Sequence, residues 1–308
     1  MKNFQVVAYI TAYEDYRAVQ ACVTALKNQS YPLAKIFIVD NSTSQPVLLS
    51  NYENVIIDAH PENLGISGGL RLALEWSFEH KYDFLWAFDQ DSIPTSKCLE
   101  VLLEVYNQVS QVNYKVGIIA PTPIDLRSNK VIEAAVFDRD HFTPCKHTSQ
   151  VQPYECDAPI TSGSLISIAA AKTLSPPRAD LFIDGVDLDY GLRLKQKGFH
   201  NLIVPPAILY HQFGNPIKVK FFQKERFVQI YSDLRHYYIC RNHTYLETRY
   251  AQGWYRLTSC LRRMKYLLRT IILILLYDPK DKFQKIWACL LGTFHGLKGK
   301  LSKTWRRK

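Results

Sequence analysis

The chain contains no Cys-x-x-Cys pair. Its seven cysteines are odd in number and scattered at 22, 98, 145, 156, 240, 260 and 289. That distribution argues against a thiolate zinc site and against a secreted disulfide framework, and points to a reducing, cytoplasmic setting. No apolar run reaches the roughly 18 residues that a membrane-spanning helix requires. The opening Met-Lys-Asn-Phe-Gln-Val-Val-Ala-Tyr-Ile lacks signal-peptide anatomy, so its apolar stretch is expected to be a strand. Internal repeats and low-complexity tracts are also missing. The last third is poor in acid, with 5 Asp+Glu against 21 Lys+Arg in residues 218–308. The remaining residues carry a surplus of acid, although the whole chain is at +10. Such a split suggests two jobs, one holding a cation and a nucleotide, the other meeting an anionic surface.

With 308 residues, 47% of them apolar, the chain can bury a large core. Strand and helix patterns alternate from residue 4 to about 120. Residues 4–10, 36–39, 54–57, 84–88 and 116–120 read as strands. Residues 16–29 carry Val19, Cys22, Val23 and Leu26 on one helical face, and 70–79 read as a second helix. This is the pattern of an α/β sheet, whose ligands bind at the carboxyl ends of its strands. Residues 121–157 read as irregular and Pro-containing, and 161–168, 201–204 and 207–210 as further strands. A boundary is expected near 217, giving a catalytic domain over 1–217 and a helical, basic and aromatic extension over 218–308.

Phe84-Leu-Trp-Ala-Phe-Asp-Gln-Asp-Ser92 is an apolar strand that ends in two carboxylates, Asp89 and Asp91. Like charges held so close repel unless a cation or a proton lies between them. Hard divalent cations favour such oxygen ligands, often shared with substrate phosphates, so Mg²⁺ or Mn²⁺ is the expected cofactor. The bland alternative is a cap for a helix starting near Thr95. Asp40 ends another strand, in Ile-Val-Asp-Asn-Ser, and reads equally as a nucleobase acceptor or a turn cap. Asn63-Leu-Gly-Ile-Ser-Gly-Gly places Gly65, Gly68 and Gly69 before a helix, either as a phosphate cradle or as a tight turn. Asp184, Asp187 and Asp189 crowd the start of a helix; a helix N-terminus accounts for one or two of them, and the third is a candidate general base. His211 ends a strand and is a candidate third metal ligand.

In this order and spacing the segments at 10–13, 38–42, 63–69, 89–92, 182–189 and 211–214 resemble the family-2 inverting glycosyltransferases with a GT-A fold. The resemblance covers roughly residues 4–215. The Phe-Asp-Gln-Asp-Ser form looks most like the bacterial rhamnosyltransferase branch, which draws on dTDP-L-rhamnose to build cell-surface polysaccharide. It implies a Rossmann-like mixed sheet flanked by helices. It implies that Thr11, Tyr13 and Asp40 hold the nucleoside, that Asn63, Gly65, Gly68 and Asp89 contact the donor, and that Gly163 and Ser164 lie near the donor sugar and acceptor. Asp91 would be the main metal ligand, with Asp89 and His211 beside it, and Asp187 the catalytic base. Three positions depart from the family's habit: Glu14 and Arg71 where Asn is common, and Val186 where an acidic residue usually precedes the catalytic Asp. Asp184 and Asp189 therefore stay open as bases. A UDP-hexose donor is the alternative within the family.

In the tail, Leu257, Leu261, Met264, Leu268, Ile271 and Leu275 form one helical stripe flanked by Arg256, Arg262, Arg263, Lys265 and Arg269. Phe283, Ile286, Trp287, Leu290 and Phe294 repeat the pattern. The expected partner is an anionic membrane surface, with a lipid-linked glycan acceptor and a peripheral place on the inner face of the cell membrane. The competing expectation is a seam packed on the catalytic domain or on a second copy, as in a homodimer. A nucleic-acid partner is disfavoured, because the acidic surplus lies in the half that would hold the nucleotide. A nucleotidyltransferase would want a basic residue within 63–69, and none is there.

Overall fold

A computed structural model describes residues 3–48, 53–112, 114–146, 151–212, 214, 216–221 and 224–305. Phe213 of the His-Gln-Phe-Gly segment and the terminal Arg306, Arg307 and Lys308 lie outside the described residues. The chain groups into two compact units. The first comprises Met1–Val136, Pro144–Phe182 and Val186–Gln212; the second comprises Phe137–Thr143, Ile183–Gly185 and Phe213–Lys308.

The elements run β1 (Val6–Ala12), α1 (Tyr16–Lys27), β2 (Lys35–Asp40), β3 (Val55–Ala59), α2 (Gly65–Glu79), β4 (Phe84–Asp89), β5 (Ser92–Pro94) and α3 (Cys98–Ser110). They continue with β6 (Val116–Asp125), β7 (Ala134–Asp138), β8 (His141–Cys145), β9 (Tyr154–Cys156), β10 (Leu165–Ser167), α4 (Ile168–Ala171), α5 (Val186–Gln196) and β11 (His200–His211). The main sheet has the order β3-β2-β1-β4-β10-β6-β11-β5, with β9 also on β11. Strands β3, β2, β1 and β4 are mutually parallel, as the alternating pattern predicts. The sheet becomes mixed at β10, which runs antiparallel to both β4 and β6.

Helix α1 buries the four residues its periodicity selected, and Asp15 caps it by accepting the Ala18 N–H at 3.0 Å. Strand β4 is buried from Phe84 to Phe88, and the Trp86 indole donates to the Gly163 carbonyl at 2.9 Å. Helix α2 starts at Gly65, five positions before the expected Leu70, so the glycines belong to the helix itself. A Cβ on Gly69 would stand 2.4 Å from the Tyr9 hydroxyl, and one on Gly65, whose φ is +67°, 2.4 Å from the Phe182 carbonyl oxygen. Close packing accounts for both. The stretch 121–157, expected to be irregular, carries the paired strands β7 and β8 and the short β9. They are too short to stand out as periodic runs. The two strands expected at 201–204 and 207–210 are one, β11, interrupted by a register shift between Val204 and Ile208.

In the second unit, β12 (Pro216–Phe221) and β13 (Lys224–Gln229) form a hairpin before α6 (Asp233–Tyr250), α7 (Tyr255–Tyr277) and α8 (Lys282–Leu297). The helical region thus begins later than the sequence suggested. Gly292 and Gly296 let α8 lie against the α6 backbone, since a Cβ on either would meet a carbonyl oxygen of α6 at 2.4 Å. Arg241 is fully buried and donates to the carbonyls of Leu301 and Lys303, fastening the chain beyond α8.

His236 of α6 is buried beside Lys285, with Asp278 and Asp233 also in range. Burial first, and the Lys285 charge second, pull its pKa from 6.5 down to about 4. In the unfolded chain it would take a proton near 6.5, so between those values the unfolded state binds more protons. The contribution is intact above pH 6.5 and is lost as pH falls towards 4. At pH 5 the loss is about 2 kcal/mol. Urea melts at pH 7 and pH 5 should show it, and His236→Gln should shrink the difference by that amount; an equal pH response in both proteins would contradict the assignment.

Candidate active site

The carboxyl ends of β1, β2 and β4 come level with one another. Thr11 of β1 stands beside Asp89 of β4, and Ala12 beside Asp40 of β2. Gln90, between the two aspartates, grips the backbone of Tyr13. Its Oε1 accepts the Tyr13 N–H at 2.7 Å, and its Nε2 donates to the Tyr13 carbonyl at 3.0 Å. Tyr13 is left exposed at this edge.

Asp89, Asp91 and His211 meet in one place. Each offers one ligand atom, and the three atoms lie within 4.8 Å of one another. His211 arrives on β11 and is paired in register with Ser92 of β5 and with Asp125 of β6. Its Nδ1 lies 2.8 Å from Ser92 Oγ and 3.3 Å from Asp91 Oδ1, while Nε2 faces Asp89 Oδ2 at 3.9 Å. Ser92 is fully buried and also lies 2.6 Å from Ser162 Oγ, which accepts the Asp89 N–H at 3.2 Å. Burial opposes the His211 imidazolium. The Asp91 hydrogen bond and the charges of Asp89, Asp91 and Asp125 outweigh it and hold the pKa above its ordinary value. The same surplus of negative charge suits a divalent cation, and two carboxylates with one imidazole form a fitting donor set.

Ser92 and Ser162 carry no functional signal of their own in the sequence, although Ser92 stands in the Asp-Gln-Asp-Ser segment. Ser92 engages Nδ1, the nitrogen nearer Asp91, and leaves Nε2 toward Asp89, so it can orient the ring as a contact behind a metal ligand does. Ser92→Ala should therefore weaken Mn²⁺ binding by about 10- to 100-fold. Titration of the nucleotide-free protein followed by electron paramagnetic resonance would show this, and unchanged Mn²⁺ affinity would remove Ser92 from the positioning role.

Other expected donor contacts are engaged with the protein. Both oxygens of the buried Asp40 take backbone N–H groups, from Ser42 at 3.0 Å and Val47 at 2.6 Å. This is the turn-cap arrangement. Glu14, in a left-handed conformation at φ +50°, extends the same loop. Its carboxylate accepts N–H groups of Ser44, Thr43 and Gln45, which lower its pKa to about 2. Asn63 accepts the Gly65 N–H at 3.0 Å, Asn41 accepts that of Leu64 at 2.8 Å, and the Phe182 carbonyl accepts that of Ser67 at 3.0 Å. The N–H groups of 64, 65 and 67 are thus already bonded to protein acceptors, which narrows the phosphate-cradle reading of this turn. Gly68 lies within α2 against Leu64. Gly163, at φ +85°, is wedged against Leu209 and Pro121, and the Ser164 hydroxyl is buried on the Ile160 carbonyl.

The three aspartates of 184–189 separate clearly. Asp184 receives two guanidinium hydrogen bonds from Arg235, both at 3.2 Å. Asp189 is buried and paired with Arg193 at 2.8 Å. Asp187 lies half-buried in the first turn of α5, where one oxygen accepts the Leu188 N–H at 2.9 Å.

Residues 8–172, just over half of the chain, match the sequence profile of glycosyl transferase family 2. The chain belongs to this family. A curated relative, the dTDP-rhamnosyl transferase RfbF of Shigella flexneri, is 24% identical over 303 residues, spanning 96% of this chain and 97% of that protein. Solved glycosyltransferase structures share the fold. GalNAc-T7, crystallised with UDP, GalNAc and Mn²⁺, superposes with a TM-score of 0.60 at 14% identity over 92% of this chain. This chain spans about half of that one, 54%. Residues 1–349 of S. aureus TarS in complex with UDP give 0.55 at 12% identity, covering 96% of this chain and 82% of that one. The mixed sheet of this family-2 glycosyltransferase is therefore a GT-A fold, as its motifs implied.

Proposed function

We propose that this glycosyltransferase moves L-rhamnose from dTDP-L-rhamnose onto a lipid-linked glycan at the inner face of the cell membrane. The observation that carries the site assignment is the convergence of Asp89, Asp91 and His211 at the carboxyl end of β4, beside Thr11 and the exposed Tyr13. The near full-length likeness to a dTDP-rhamnosyl transferase supports the choice of donor.

Asp89, Asp91 and His211 would hold Mg²⁺ or Mn²⁺. When bound, such an ion offsets the charge of a departing nucleoside diphosphate. Tyr13 offers its ring to the nucleobase, and Gln90 ties the position of that ring to the carboxylate pair. Asp187 is the proposed base. It lies half-buried in the first turn of α5, at the position that the family resemblance gives to the catalytic aspartate, and a carboxylate there is suited to taking the acceptor hydroxyl's proton as the new bond forms. Attack opposite the diphosphate inverts the anomeric carbon, so a β-configured rhamnosyl donor yields an α-linked product.

The test is a donor screen with purified protein and Mn²⁺ or Mg²⁺, reading release of the nucleoside diphosphate. Turnover of dTDP-L-rhamnose is expected. Turnover of UDP-hexoses with none of dTDP-L-rhamnose would overturn the donor and leave the family intact.

A further inference from the structure

Helices α7 and α8 are inside out. The α7 side chains packed into the second unit are Ser259, Arg263, Leu267, Thr270 and Ile274, three of the five polar or charged. Those turned outward include Leu257, Leu261, Met264, Leu268 and Leu275, with Leu268 still 61% exposed. At about 100° per residue the two sets lie roughly 130° apart. On α8 the inward set comprises Lys285, Ala288, Cys289, Gly292, Thr293 and Gly296. The outward set includes Phe283, Trp287, Leu290 and Phe294, with Phe283 82% exposed, roughly 160° round the helix. The inward charges are matched: Lys285 holds both oxygens of Asp278 at 2.7 Å, and Arg263 lies 3.5 Å from Glu247. A helix facing water normally shows the opposite polarity. The sequence marked these stripes without their direction. Ile271 and Ile286, counted with them, pack instead against the buried Cys240, Leu267 and Cys289 cluster.

We infer that the outward faces of α7 and α8 lie in the surface of an anionic lipid bilayer. The charge of this region selects that occupant over a second copy. Residues 218–308 carry 21 Lys+Arg against 5 Asp+Glu, so two such faces repel one another while an anionic surface attracts both. Lys265 and Arg269 are exposed along one flank of the α7 face, Arg256 lies on the other, and Lys298 is exposed at the end of α8. Their stems can follow the apolar face while their charges reach headgroups. Among the described residues no helix is long and apolar enough to cross a membrane, so the helices lie in its plane. This deepens the lipid-linked acceptor reading; its purpose rests on that reading, its evidence does not.

Vesicle sedimentation of the full chain tests the surface, using phosphatidylcholine alone and phosphatidylcholine with phosphatidylglycerol. Binding to the anionic vesicles is expected, with a blue shift of tryptophan emission that Trp287→Phe reduces. Leu268→Glu with Trp287→Glu should lower partitioning by about tenfold or more, and Lys265→Glu with Arg269→Glu should remove the preference for anionic lipid. Both pairs are exposed, so circular dichroism should match the parent. If the parent ignores anionic vesicles, or if the double glutamate variant binds as well as the parent, the inference fails. Concentration-dependent dimers that the same glutamates dissolve would assign the face to a second copy and also overturn it. Release of dTDP from dTDP-L-rhamnose without vesicles, run on the same samples, reports on the donor reading separately.

Discussion

Asp187→Asn should slow glycosyl transfer by about 10²- to 10⁴-fold and leave donor-nucleotide affinity unchanged. The amide matches the carboxylate in shape and keeps an oxygen for the Leu188 N–H. It cannot accept the acceptor's proton, and loss of a positioned base is worth a factor of that size. The effect should fall on kcat, because the lost interaction forms only as the bond is made. Asp189→Asn is the contrasting control. That side chain is buried against Arg193, which also donates to the Ser175 and Pro176 carbonyls. Its substitution should lower thermal stability before it alters the chemistry. Steady-state kinetics and melting curves on the pair separate the roles; full kcat in Asp187→Asn would return the assignment to its acidic neighbours.

Removing the proposed divalent cation with EDTA, or its proposed ligand by Asp91→Ala, should cut turnover by about a thousandfold. Polarisation by a bound metal is worth several kcal/mol, and about 4 kcal/mol is three powers of ten. The two losses should differ in reversibility. Excess Mn²⁺ restores the EDTA-treated parent, while Asp91→Ala lacks one of the three donors and needs far more metal for partial recovery. The carboxylate also helps to hold His211, 3.3 Å from its Nδ1, so the variant loses orientation as well as charge. Turnover that persists in EDTA, with Asp91→Ala fully active, would mean that the cluster serves another purpose.

Parts of the site were legible because they depend on local chemistry. An apolar strand running into Asp89 and Asp91 announces itself, since a pair of carboxylates at the end of a buried run needs a compensating charge. Other parts depended on partners far along the chain. Ser92 and His211 are 119 residues apart and are joined only because β5 and β11 pair in the sheet. The glycines of 63–69 were read as a ligand loop, yet Gly65 and Gly69 are shaped by Phe182 and Tyr9, contacts no local pattern reveals. Among the acidic residues near 187, Asp184 is held by Arg235, 51 residues further on, which no local pattern reveals.

The amino-acid sequence by itself determined the parallel strands β1 to β4, the carboxylates at their ends and the amphipathic character of α7 and α8. Each follows from periodicity and residue chemistry within a short window. Only the tertiary structure decided which imidazole nitrogen of His211 Ser92 holds, which aspartate Arg235 holds and which side of α7 and α8 meets the outside. Those outcomes are set by long-range packing: a stripe of leucines has the same spacing whether it faces a core or a membrane, and only the buried, paired Arg263 and Lys285 on the opposite sides show that it faces out.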